Sequence, residues 1–257
     1  MLTKETIMAD ATLTCSLDDA VCRIVLSRPE KGNALSGAAV RDLDRAFDAA
    51  LAQGARLVVF EGAGRHFCTG FDLSDLDSES DGDLLLRFVT IEGFLRRVFD
   101  APVVTVALGR GSVFGAGADL FAACDHRIAL ETPRFAFPGS GFGLVLGTGR
   151  LASRIGRDHA RSILLRGDVV DTSRALAIGL VTEQIAEDGI DAALNDLARE
   201  AKRLDPQTVA ALRGATRVGD ADAELADLCR SAARDGLKAR IVAYRAQVLA
   251  SARPKSA

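Results

Sequence analysis

Val103 to Cys124 reads VVTVALGRGSVFGAGADLFAAC. A buried-strand run leads into a turn with glycine at 109, 111, 115 and 117, and Ala118 to Cys124 then continues without a helix breaker. The order is strand, permissive turn, helix start. Leu57 to Leu73 (LVVFEGAGRHFCTGFDL) repeats it upstream, and a chain built of such units belongs to the α/β class. Backbone N–H groups at a helix start lack an intrahelical partner and face outward at the positive end of the dipole, so such turns can hold an anion. Two converging turns could each give one N–H to a developing oxyanion, and losing one such donor typically costs roughly 10²- to 10³-fold in rate. Glycine also serves tight turns that bind nothing, and the pattern alone leaves that alternative open.

Working outward, Thr12–Leu17 and Val21–Leu26 read as a hairpin across Asp18-Asp19. Ser36 reads as an N-cap for a helix bearing Val40, Leu43, Phe47 and Leu51, which Gly54 closes. Leu84–Phe99 is a helix candidate, and His126–Ala129 and Phe135–Phe137 are strand candidates. Past Arg150 the apolar spacing turns helical, interrupted by a short strand at Val181–Ile185. Pro206 ends one helix, and Leu237, Ile241, Tyr244 and Val248 mark a last amphipathic one. A helical tail of this kind often packs on a neighbouring subunit.

Composition excludes several classes. Across 257 residues, 32 Lys+Arg against 35 Asp+Glu give a net charge of -3, with no basic stripe for nucleic acid. The longest near-continuous apolar stretch, Ala101–Leu108, is far shorter than the roughly 20 residues that cross a bilayer. MLTKETIMAD has no apolar h-region, so a cytoplasmic location is expected. Five cysteines without a CxxC spacing predict reduced, mostly buried thiols, and three scattered histidines predict no metal. Gly109-Arg-Gly111 would need its third dinucleotide-motif glycine at Phe114, no lysine follows the glycines as a P-loop demands, and a nucleophile elbow at Ser140 would need glycine at Pro138.

Ile24–Leu35 (IVLSRPEKGNAL), Gly62–Leu73 (GAGRHFCTGFDL) and Gly111–Ala129 (GSVFGAGADLFAACDHRIA), together with Ala175–Val181 (ALAIGLV), resemble successive signature blocks of the crotonase superfamily, the enoyl-CoA hydratase/isomerase family. The resemblance implies an α/β spiral of repeated ββα units over residues 1–200 carrying an acyl-CoA site. It also implies a helical C-terminal region over 201–257 that serves trimerisation. The expected assembly is a homotrimer or a dimer of trimers, the expected substrate a coenzyme A thioester, and no separate cofactor is expected.

By the same resemblance the oxyanion donors are the N–H groups of Phe71 and Ala116, with Asp119 as acid/base. The substrate-binding set is Lys31, placed near the CoA phosphates, with Thr69, Phe71, Asp72, Leu73, Phe114, Gly115, Ala116, Pro138, Gly139 and Gly143. Phe114, Phe142 and Leu144 suggest an apolar acyl pocket. Asp125 and the Asp72 carboxylate read as loop-holding groups, and His66 and Glu131 reach the pocket only if their loops fold inward.

The carboxylate set departs from the hydratases. Asp119 stands where they have Glu, the second carboxylate position falls on Gly139, and a third falls on Gly147. Hydration needs a group to deprotonate water and a proton source for the α-carbon, whereas moving a double bond needs one base that removes and returns a proton. Isomerisation is therefore the lighter demand. Decarboxylation of a malonyl-type thioester and binding without turnover are the alternatives.

Overall fold

The computed structural model describes residues 5–252; residues 1–4 of the MLTKETIMAD segment and 253–257 of the C-terminal region lie outside them. A seven-stranded sheet runs in the order β1 (Glu5–Ala9), β2 (Leu13–Asp18), β3 (Val21–Leu26), β4 (Leu57–Gly62), β5 (Val104–Gly109), β7 (His126–Leu130), β9 (Glu183–Ile185). The first three strands pair antiparallel and the rest parallel. The predicted hairpin is β2–β3, but Asp18 pairs with Val21, so the turn falls one residue later than Asp18-Asp19, on Asp19 and Ala20, both at positive φ as a two-residue turn matching strand twist requires.

Period-two burial gives the sheet two dry faces. Val58 and Phe60 of β4 face the main core, while Leu57 and Val59 join Val106, Leu108, Ile128 and Leu130 beneath α7 (Ile190–Ala201). On the main face, α1 (Gly37–Ala52) starts at Ser36, whose hydroxyl accepts from Ala39 N–H. Beside it, α2 (Asp81–Phe99) begins three residues before the expected Leu84 because Ser80 and Asp83 form a reciprocal capping box. Phe47, Phe60 and Phe94 lock α1, β4 and α2 together with ring centroids 6.1 to 6.3 Å apart.

A second sheet of two parallel strands, β6 (Ser112–Phe114) and β8 (Arg134–Ala136), flanks α3 (Ala116–Ala123). The C-terminal half adds α4 (Thr148–Ile155), α5 (Arg157–Arg166), α6 (Thr172–Ala177), α8 (Pro206–Thr216), α9 (Ala221–Ala232) and α10 (Leu237–Ala252). The tail packs on its own chain. Arg213 of α8 donates to the Phe99 and Val103 carbonyls, and Arg240 of α10 donates to the Phe142 carbonyl at 2.7 Å.

Cys15, Cys22, Cys68 and Cys124 are buried free thiols and Cys229 is half-buried. Among the described residues no helix is long and apolar enough to cross a membrane, and no group of three or more His, Cys, Asp or Glu is placed to hold a metal.

Candidate active site

The two glycine turns meet. In the first, Leu35 N–H donates to the Gly70 carbonyl at 2.7 Å and Asp72 N–H to the Leu35 carbonyl at 3.1 Å, so the chain is fixed on both sides of Phe71. In the second, Phe114 N–H donates to the Cys68 carbonyl at 2.9 Å and Gly115 N–H to the Ala136 carbonyl at 2.8 Å, which sets Ala116 as the first residue of α3. A methyl built on Gly115 would stand 3.5 Å from the Gly70 Cα, so the residues preceding Phe71 and Ala116 are in contact. The N–H groups of Phe71 and Ala116 have no hydrogen-bond partner among the described residues. Unspent donors from two touching turns are what an oxyanion clasp requires.

Close approach depends on Gly117. A Cβ there would lie 2.5 Å from the Cys68 carbonyl oxygen and 2.6 Å from the Cys68 Cβ, so α3 rests directly on the first turn. Gly117→Ala is expected to cost about 1 to 3 kcal/mol through overpacking, read as a lower urea midpoint at unchanged m. An unchanged midpoint would mean that the helix is not seated on Cys68.

Both turns open on a cavity of about 440 Å³. Of the residues expected from the sequence, Thr69, Phe71, Leu73, Gly115, Ala116, Asp119, Pro138 and Gly139 line it, as do Phe142 and Leu144. Four expected binding residues do not. Lys31 is exposed at the end of a one-turn 3-10 helix, although the next residue, Gly32, accepts from Thr69 N–H at 2.9 Å. Asp72 is turned into its loop, 2.8 Å from Arg28 and 2.9 Å from Ser74 N–H; burial raises its pKa, but Ser74 and Arg28 outweigh that and hold it below the usual carboxylate range. Phe114 supplies backbone to β6, and Gly143 closes the turn after Phe142 at φ +76°.

Sequence reading missed the far wall. Ile241, Tyr244, Arg245, Val248 and Leu249 of α10 line the cavity together with Phe88, Leu146 and Leu164. The helix docks through Tyr244, whose ring lies against Gly141, where a Cβ would come within 2.4 Å, and 5.7 Å from the Phe142 ring. Phe71 stacks on Phe88 at 4.5 Å beneath the Arg87 guanidinium, 3.8 Å from the Phe71 ring centre. The lining is overwhelmingly apolar, as ligand cavities commonly are.

Among the described residues, Asp119 is the one carboxylate on the cavity wall. Its side chain is buried and makes no hydrogen bond among the described residues. Burial pushes its pKa up to about 8, with Arg150 holding it down and Glu92 adding to the rise. The third carboxylate position is closed by Asp119 itself, since a Cβ on Gly147 would fall 2.4 Å from Asp119 Oδ1. The second is open: a Cβ on Gly139 meets nothing nearer than the Leu144 carbonyl at 3.6 Å. His66 and Asp125 serve the scaffold. His66 Nδ1 accepts from Ser112 N–H, while Asp125 accepts from Thr105 and pairs with Arg213. Glu131 is exposed.

Residues 16–236 match the enoyl-CoA hydratase/isomerase family model. The structure superposes on a "putative enoyl-CoA hydratase/isomerase" from Bordetella parapertussis with a TM-score of 0.89 and 46% identity, covering 92% of this chain and 99% of that one. A "putative enoyl-CoA hydratase" from Thermobifida fusca YX, in complex with acetoacetyl-CoA, aligns with a TM-score of 0.71 at 26% identity over 94% of each chain. Enoyl-CoA hydratase ACTT6 of Alternaria alternata is 30% identical over 199 residues, 76% of this chain and 66% of that protein. The chain thus spans just under two thirds of that relative's length. With its mixed α/β architecture and a family match running through both glycine turns, the chain is a member of the enoyl-CoA hydratase/isomerase family of the crotonase superfamily.

Proposed function

We propose that this chain moves a proton on an acyl-CoA thioester through an enolate, and that double-bond isomerisation is the reaction the site suits best. In this reading the thioester oxygen lies between the N–H groups of Phe71 and Ala116, and Asp119 takes a proton from one carbon and returns it to another. The observation that carries the proposal is, among the described residues, a single, unbonded, buried carboxylate on the wall of an apolar cavity beside two unspent backbone donors. A group that must both accept and release a proton works best with a pKa near the working pH, and Asp119, at about 8, meets that condition. Hydration fits less well, because Gly139 offers no second group to hold the attacking water.

The alternatives separate by a pH limb. If Asp119 acts as base, deuterium incorporation from D₂O into the α- or γ-carbon of an enoyl-CoA rises with pH and levels off above about 8. If Asp119 instead delivers a proton to the enolate left by decarboxylation of a malonyl-type thioester, the rate falls as pH rises through the same value. Acyl-CoA that binds without exchanging or losing CO₂ at any pH would refute catalysis of either kind.

A further inference from the structure

Three helices bring charge behind Asp119 in a place where burial makes charge expensive. Arg150 of α4 forms a bidentate ion pair with Glu92 of α2, both bonds 2.6 Å, and each side chain is only 5% exposed. Glu224 of α9 stands 3.8 Å from Arg150 Nη1, and Arg150 Nε is buried with no partner. Two glycines, the α4 N-cap and one in its first turn, permit this crowding. Gly147, at φ +63°, has the Asp119 carboxylate where its side chain would be, and Gly149 has Glu224 Oε1 2.2 Å from its own missing Cβ. The α4 N-terminus is thus wedged between two carboxylates, and only one of them faces the cavity.

We propose that the Glu92–Arg150 pair, held between α2 and the first turn of α4 where Gly147 leaves its side-chain space to the Asp119 carboxylate, is a positioning device that tunes the charge of Asp119 within its buried site. A guanidinium favours a neighbouring carboxylate and a second carboxylate opposes it. The proposal rests on the reading of Asp119 as the acid/base. A buried ion pair is poor evidence of stabilisation by itself, and the place of Arg150 about one turn beyond Gly147, whose side-chain space the Asp119 carboxylate fills, gives it a use. The other elements packed on α3 compete little: β5 and β6 carry no charged residue, and Arg154 of α4 is spent on the Ala122, Ala123 and Cys124 carbonyls at the far end of the helix. Across the cavity the titratable groups are Tyr244 and Arg245 of α10.

The pair predicts opposite shifts from two variants. Glu92→Gln removes the opposing charge and leaves Arg150, so the Asp119 midpoint falls by about one pH unit. Glu92→Gln/Arg150→Met removes both charges, including the stronger influence of Arg150, and the midpoint rises above wild type. The measurement is a ¹³C NMR titration of the full chain carrying [γ-¹³C]aspartate, with the Asp119 signal assigned by its loss in Asp119→Asn and folding checked by circular dichroism. If Glu92→Gln does not fold, the charge-free double variant decides alone by the direction of its shift. A midpoint unmoved, or moved the same way in both variants, overturns the proposal. Because the titration needs no substrate, it separates this proposal from the catalytic one: shifted midpoints in a protein that exchanges no deuterium would leave the positioning role standing and sink the activity.

Discussion

Asp119→Asn is expected to slow deuterium exchange into an enoyl-CoA by about 10²- to 10⁴-fold, the usual contribution of a positioned acid/base, while making the protein more stable. The two effects have one origin. The folded carboxyl has a pKa of about 8 against an ordinary value of 3.8, so the folded state holds its proton more tightly than the unfolded chain does. Its contribution to stability is therefore greatest below the unfolded value, declines as pH rises from about 4 to about 8, and stays at its least favourable above that. Asn has nearly the same shape and no charge to bury, so the variant gains on the order of a few kcal/mol near pH 8 and almost nothing near pH 4. Urea midpoints at the two pH values measure this directly. Equal midpoints for wild type and variant at pH 8 would mean that Asp119 carries no burial penalty, and an unimpaired exchange rate would remove it from the mechanism.

Gly139→Glu is expected to have the opposite kind of effect, a gain. The position lies on the cavity wall beside Pro138, and a Cβ there makes only ordinary contacts with Leu144, at 3.6 to 3.9 Å. A Glu at 139 places a second carboxyl in the cavity that holds Asp119, supplying the two-carboxylate pair expected of the family's hydratases for holding and deprotonating a water. Loss of crotonyl-CoA absorbance should accelerate by about 10²-fold or more over wild type. The added carboxylate also raises Asp119 further through like-charge repulsion, moving the base limb of the exchange profile to higher pH. A folded Gly139→Glu protein with no gain in hydration would show that the missing group is not what limits this site.

The parts of the molecule legible in sequence were those fixed by local chemistry. The β2–β3 hairpin, the Ser36 cap and the strands feeding the two glycine turns follow from residues within a few positions of one another. Strand β6 was missed because its three residues sit among glycines and become a strand only by pairing with Arg134–Ala136. The capping box at Ser80 and Asp83 was a readable signal that moves the α2 start ahead of the apolar stripe. Glu92 also carried a hint: it falls on the stripe of Phe88, Ile91 and Leu95, where a charge must find a partner. That partner is 58 positions away, and no spacing rule points to it. The places of Phe71, Ala116 and Asp119 on the cavity wall were legible because these residues lie inside the signature blocks, whereas the α10 wall was not, since its residues meet the cavity only through the docking of Tyr244 on Gly141.

That docking has a consequence for how the molecule is born. The floor of the chamber, from Thr69 to Leu165, leaves the ribosome well before Ile241 to Leu249 can roof it. Any state in which α10 is undocked leaves Phe71, Phe88, Phe142 and Leu164 uncovered on that side, and apolar surface exposed during folding favours aggregation.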